Sequence, residues 1–282
     1  MQKITKISLS VSMIVLMGGC AGSTALNVGE NPNNSEESAT IVNDRPFSYD
    51  DYGMVLQTYV DDRGQVDYKA LTANPQALER FNAALAYLSR DTYESWTEAE
   101  QIAFWINAYN SLTLQAIIAN YPTQSIRDIP GVWKWLKFEV MGEEITLDEI
   151  EHQVLRKEFD EPRIHMGLVC ASIGCPILRR EPYVGGELNR QLDEQTRKFL
   201  ALEQNFKIDR DQNKVHLSSI FKWFGDDFKN RYGGMEKFAG TEKEKAVLHF
   251  TSQYLDERNR EYLVGGGYDI QYLDYDWSLN EQ

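Results

Sequence analysis

The chain has no apolar run long enough to cross a bilayer: its most leader-like stretch, Ile7 to Met17, falls well short of the roughly 20 residues a transmembrane helix needs. Positive charge is also scarce. With 29 Lys and Arg against 43 Asp and Glu, the formal charge is −14, and such a surface is repelled by phosphate backbones and anionic head groups. No nucleic-acid partner is therefore expected. No internal repeat is visible, and Gly265-Gly266-Gly267 follows a helical segment instead of opening one, so it reads as a turn and not as a phosphate loop. His152, His165, Cys170 and Cys175 could be grouped as metal ligands, but they lack the tight spacing of structural zinc sites, and the expectation is no metal and no other cofactor.

What the first twenty residues do contain is an export signal in order. Lys3 and Lys6 give a positive start, Ile7 to Met17 a short apolar run, and Gly18-Gly19-Cys20 a small-residue end. The stretch Leu16-Met17-Gly18-Gly19-Cys20 resembles the lipobox of bacterial lipoproteins, with Met17 where leucine is usual. That resemblance implies cleavage before Cys20, lipidation at Cys20 and, with Ala21 following, an outer-membrane location facing the periplasm. The expected partner is thus the membrane, through the lipid anchor. Losing Lys3 and Lys6 takes the formal charge to −16. Residues 1–19 read as the signal peptide, 20–46 as a flexible Ser-, Asn- and Glu-rich tether, and 47–282 as one globular domain.

Within that domain, Asn74-Pro75 opens a helix carrying Leu78, Phe81, Leu85 and Leu88. Thr97 and Glu100 form a capping box before a helix that is apolar nearly all round, stops at Tyr121-Pro122 and should be the buried centre. Phe138–Val140 and Glu144–Thr146 read as a hairpin, and Thr146 with Glu149 caps a helix through His152 to about Phe159. Arg163 to Cys170 alternates as a strand, with His165 facing away from Cys170. A helix over 187–202, a hairpin at Asp211-Gln212-Asn213, a helix capped by Thr241 and Glu244, and an extended tail from Tyr268 to Trp277 complete the reading. The fold class is α+β, with helices packed around a small, mostly antiparallel sheet in a single domain.

The segments GQVDYKAL, AFWINAYNSLTL, LDEIEHQVLR, RIHMGLVCASIGCPILRREPY, SSIFKWFGDDF and YDWSLN resemble, in order, the family known as domain of unknown function 547, found in bacterial envelope proteins and in plants. The resemblance implies that the stretches with Asn107, Asn110, His152 and Cys170 form the family's core, and that the second cysteine is sometimes replaced. It implies no particular reaction.

Chemistry is read from residues instead. Cys170 and Cys175 could form a disulfide in an oxidising compartment or act as thiols. Arg163, Arg179 and Arg180 make the surrounding segment locally basic, which favours a thiolate at Cys170 and offers Arg163 and Arg179 as substrate-binding groups. The sharper expectation pairs Cys170 with His152 as nucleophile and base, with Asn107 or Asn110 as orienter or oxyanion donor. Glu151 and the pair Asp226-Asp227 read as solvated charges, and His216 and His249 as structural. Trp133, Trp135 and Phe138 could edge a groove for sugar or peptide. Two functions follow: a thiol-dependent hydrolase or acyl transferase on a peptide-like substrate, or a non-catalytic binding or assembly module of the envelope.

Overall fold

Helices α1 (Asp50–Tyr59), α2 (Tyr68–Ala73), α3 (Gln76–Tyr87) and α4 (Arg90–Glu94) lead into α5 (Glu98–Ala119), and all are described in a computed structural model that covers residues 46–282. The segments expected to be the signal peptide and the tether, with Cys20 between them, lie outside the described residues up to residue 45. Thr97 and Glu100 cap each other at the start of α5, whose faces are apolar in every direction; from Ile102 to Ile117 nearly every residue is buried. Because α5 has no polar face, it is wrapped on all sides, by α2 and α3 on the N-terminal side and by later helices elsewhere. Asn74 closes α2 and Pro75 caps α3, one residue later than the dipeptide suggests.

A hairpin of β1 (Lys137–Val140) and β2 (Glu143–Thr146) turns at Met141-Gly142, both at positive φ, and donates from that turn to the last carbonyls of α3. The Thr146/Glu149 capping box then opens α6 (Leu147–Glu149). It runs directly into a π-helical segment, Ile150–Leu155, and into α7 (Arg156–Glu158).

The stretch expected to be a strand at Arg163–Cys170 is not one. Pro162–Met166 is a 3-10 turn, capped by Glu161 accepting from the Arg163 amide, and the following residues are irregular. The alternation fails as a strand signal because Ile164, His165, Met166, Gly167, Leu168 and Val169 are all buried, leaving no solvent face to define period two.

The remaining elements are α8 (Leu188–Leu200), β3 (Phe206–Asp209), β4 (Lys214–Leu217), α9 (Ser219–Phe224), α10 (Lys229–Tyr232), α11 (Glu242–Ser252), α12 (Glu257–Gly265) and β5 (Asp269–Tyr272). Gly266 ends α12 in the left-handed conformation, φ 69°, as a turn should. The class is α+β in one domain, but the strands divide into two small sheets: β1-β2 alone, and β3-β4-β5, in which β5 runs parallel to β4. The core likewise has two clusters, one around α5 and one around Phe199, Phe221, Phe228 and Phe250. They come together at 162–170, where Ile164 and Leu168 join the first and Met166 the second.

Candidate active site

Along that seam lies a cavity of about 270 Å³. Its polar wall comes from the helical stretch after β2, where Asp148, Glu151 and His152, at i, i+3 and i+4, share one face. The π-helical turn is closed by the Arg156 amide donating to the Glu151 carbonyl. Its far wall is Trp223 and Phe224 at the end of α9, and its rim is Tyr275 and Trp277, whose extended backbone turns alternate side chains inward while Asp276 faces out.

His165, 3% exposed, reaches the cavity from the 3-10 turn and stacks on Phe224 with ring centroids 4.3 Å apart. Its Nε2 donates to Asp227 Oδ2 at 2.7 Å, and Arg156 donates to both oxygens of the same carboxylate at 2.6 and 2.9 Å. Burial opposes the charge on Asp227, yet the hydrogen bonds from His165 and Arg156 outweigh it and hold the carboxyl well below its usual range. Asp227 is therefore an acceptor only, which puts the His165 proton on Nε2 and the lone pair on Nδ1. Burial also lowers the His165 pKa, against the pull of Asp227, so the ring is neutral near pH 7.

His152 has the same tautomer, but its other nitrogen is the engaged one. Arg156 Nη1, which can only donate, meets His152 Nδ1 at 2.9 Å, so the His152 proton is on Nε2, 3.6 Å from Asp148 Oδ1. Burial lowers this pKa too. Glu151 is pushed up to about 7 by burial, despite Arg156 and a 3.4 Å contact from the Tyr109 hydroxyl.

Cys170 and Cys175 are joined as a disulfide, with Cα atoms 6.2 Å apart, and both line the cavity. The Tyr275 hydroxyl donates to Cys175 Sγ at 3.0 Å and lies 2.9 Å from Ser172 Oγ. The loop is held against the tail by backbone bonds from Ile173 to Ser278 and from Gly174 to Asp276, both 2.9 Å. A Cβ on Gly174 would meet the Asp276 nitrogen and the Tyr275 ring at 3.0 Å, so any larger residue would push the tail outward by a few tenths of an ångström. Ala171 sits at φ 56°, a strained conformation for alanine, immediately beside Cys170.

Of the expected site residues, Cys170, Cys175 and His152 share this cavity; the rest do not. Asn107 is buried with its amide bonded to both the N–H and the carbonyl of Tyr183, and Asn110 likewise to Gly167 O and Val169 N. Both tie α5 to later segments and neither reaches the cavity. Arg163 and Arg179, expected as substrate-binding groups, do not line the cavity. Arg163 is clasped by Glu161 and Asp193, and buried Arg179 by Glu181 and Glu194. Arg180 pairs with Asp62 at the surface. The positive charge of Arg163 and Arg179 is cancelled by the adjacent Glu161 and Glu181 and by Asp193 and Glu194 from α8.

The reading of Glu151 and Asp227 as solvated charges is also corrected, since both are partly buried at the site. His165 was missed because the strand reading turned it away from Cys170. The i, i+3, i+4 spacing of Asp148, Glu151 and His152 was an available signal, whereas nothing local in sequence links Asp227 to His165, 62 residues earlier. Trp133 does line the cavity; Phe138 is core and Trp135 is 78% exposed. No cluster of three or more metal-ligating side chains occurs among the described residues.

A cavity that unites two neutral imidazoles, one with its Nδ1 free and one with its Nε2–H free, a carboxyl whose pKa is raised and a cysteine pair on an α+β frame holds groups of the kind that acid–base or nucleophilic chemistry uses. Residues 93–200 match the model of the family described as "Protein of unknown function, DUF547". The matched stretch carries Asp148, Glu151, His152, His165 and both cysteines, while Asp227 and the aromatic rim lie beyond it. No curated protein and no solved structure matches the chain.

Proposed function

We propose that the cavity is the active site of a thiol-dependent hydrolase or acyl transferase that acts on a peptide-like substrate once the Cys170–Cys175 disulfide is reduced. The observation that carries this reading is that Cys170 shares a cavity with His165, whose Nε2 is held by the partly buried Asp227 and whose Nδ1 receives no hydrogen bond among the described residues. His152, the base expected from sequence, has its accepting nitrogen already engaged by Arg156. In the reaction, the Cys170 thiol passes its proton to His165 Nδ1, and the sulfur attacks the acyl carbon. The Nε2–H of His152 is available to the acyl oxygen. The leaving group takes a proton from the imidazolium or from Glu151, and water or a second acceptor resolves the thioester.

The disulfide itself favours a second reading, a binding module without a nucleophile, because a joined pair cannot attack. Iodoacetamide labelling at pH 6, with and without mild reductant, separates the two. The enzyme reading expects Cys170 to label faster than Cys175 after reduction, and His165→Gln and Asp227→Asn to slow Cys170 on the order of tenfold in folded protein. Rates indifferent to both substitutions, or thiols that resist labelling after reduction, would favour the module. In either case, the arrangement of residues 1–20 supports reading the chain as an exported lipoprotein anchored at Cys20 in the cell envelope, on the outer membrane. Among the described residues, no helix is long and apolar enough to cross a membrane.

A further inference from the structure

Aromatic rings dominate the cavity, its charged lining is the two acids Asp148 and Glu151, and lysine and arginine are missing from it. Trp223 lies 5.0 Å from Tyr275 and 5.9 Å from Trp277, ring centroid to centroid, and Trp133 lies 6.0 Å from Trp277, so four rings form one continuous wall. The faces of such rings attract cations, and two neighbours show it. Arg156 lies 5.0 Å from the Phe224 centroid and Arg127 5.2 Å from that of Trp277.

In the same cavity the Asp148 side chain meets only His152, at 3.6 Å, and that of Glu151 only the Tyr109 hydroxyl, at 3.4 Å; among the described residues neither has a lysine or arginine partner within ion-pair distance. The charge of Arg156 is already matched by Asp227. A carboxylate drawn out of water without a cation is costly, and an arriving cation relieves that cost.

We propose that the substrate bound in this cavity carries a primary ammonium group, an N-terminal amine or a lysine-like side chain, seated between the Trp223–Tyr275–Trp277 wall and the carboxylates of Asp148 and Glu151. This rests on the reading of the cavity as a substrate site, but not on thiol chemistry. The upward shift of Glu151 agrees with a site that lacks its cation.

The test is equilibrium binding to the purified, oxidised protein, followed by tryptophan fluorescence. The probes are Nα-acetyl-lysine amide, its uncharged isostere Nα-acetyl-norleucine amide, and Nα-acetyl-glutamate amide. The lysine probe should bind about tenfold more tightly than the norleucine probe, within the range of a partly desolvated cation–π contact. Trp223→Ala and Asp148→Asn should each remove that preference, while the exposed Trp135→Ala should leave it intact. Equal binding of lysine and norleucine probes, tighter binding of the glutamate probe, or no saturable binding of the lysine probe overturns the inference. An ammonium preference in a protein whose thiols fail the labelling test would sink the enzyme reading alone.

Discussion

At the scale of single residues, the cavity sorts its ionisable groups by what each is allowed to touch. His165 and His152 are both neutral, yet Asp227 holds the proton of one on Nε2 away from its free nitrogen, and Arg156 occupies the accepting nitrogen of the other. One is left as a base and the other as a donor. Glu151 is set by burial, and its raised pKa has a consequence for stability. Between about pH 4.5, its ordinary value, and about 7, the folded chain binds a proton that the unfolded chain has released, so stability falls as pH rises through that window. Glu151→Gln should remove this slope. Urea denaturation at pH 5 and pH 8 should show the variant gaining on the order of 1 to 3 kcal/mol over wild type at the higher pH only. An equal difference at both pH values would mean that the carboxyl is not desolvated.

At the scale of elements, helical spacing and extended alternation assemble the walls, and amides fix their relative positions. Three carboxylate and imidazole groups project together because Asp148, Glu151 and His152 follow a capped helix start. Tyr275 and Trp277 project together because the tail is extended. Asn107 and Asn110 are the ties between α5 and the segments carrying Tyr183 and Gly167–Val169, each amide satisfying one backbone N–H and one carbonyl. Asn107→Leu leaves the Tyr183 pair buried and unpartnered. It should cost about 1 to 3 kcal/mol in chemical denaturation. Unchanged stability would show that these bonds are not held in solution.

At the scale of the whole molecule, the chain is strongly acidic, and the positive charge of Arg163 and Arg179 that the local sequence sets near Cys170 is neutralised by Glu161, Asp193, Glu181 and Glu194. The proposed anchor is also a property of the entire chain. Cys20→Ala should abolish acylation while leaving the domain of residues 47–282 folded, and mass spectrometry of the mature N-terminus in the native host checks it. An unmodified N-terminus at any residue other than Cys20 would remove the lipoprotein reading.

Local rules determined much of this protein before any tertiary contact was known. The capping boxes at Thr97, Thr146 and Thr241, the all-round apolar α5, the two hairpins and the turn at Gly266 depend on neighbours within a few residues, and they stand as the sequence implied. Tertiary structure alone decided the rest. Whether 163–170 is a strand depended on burial of both its faces, and the parallel pairing of β5 with β4 joins segments more than fifty residues apart. The partner of His165 arrived from the turn after α9, and the partners of Arg163 and Arg179 from α8 and nearby loops. A charge's role is set by what lies within a few ångströms of it, and in a folded chain those neighbours are mostly distant in sequence.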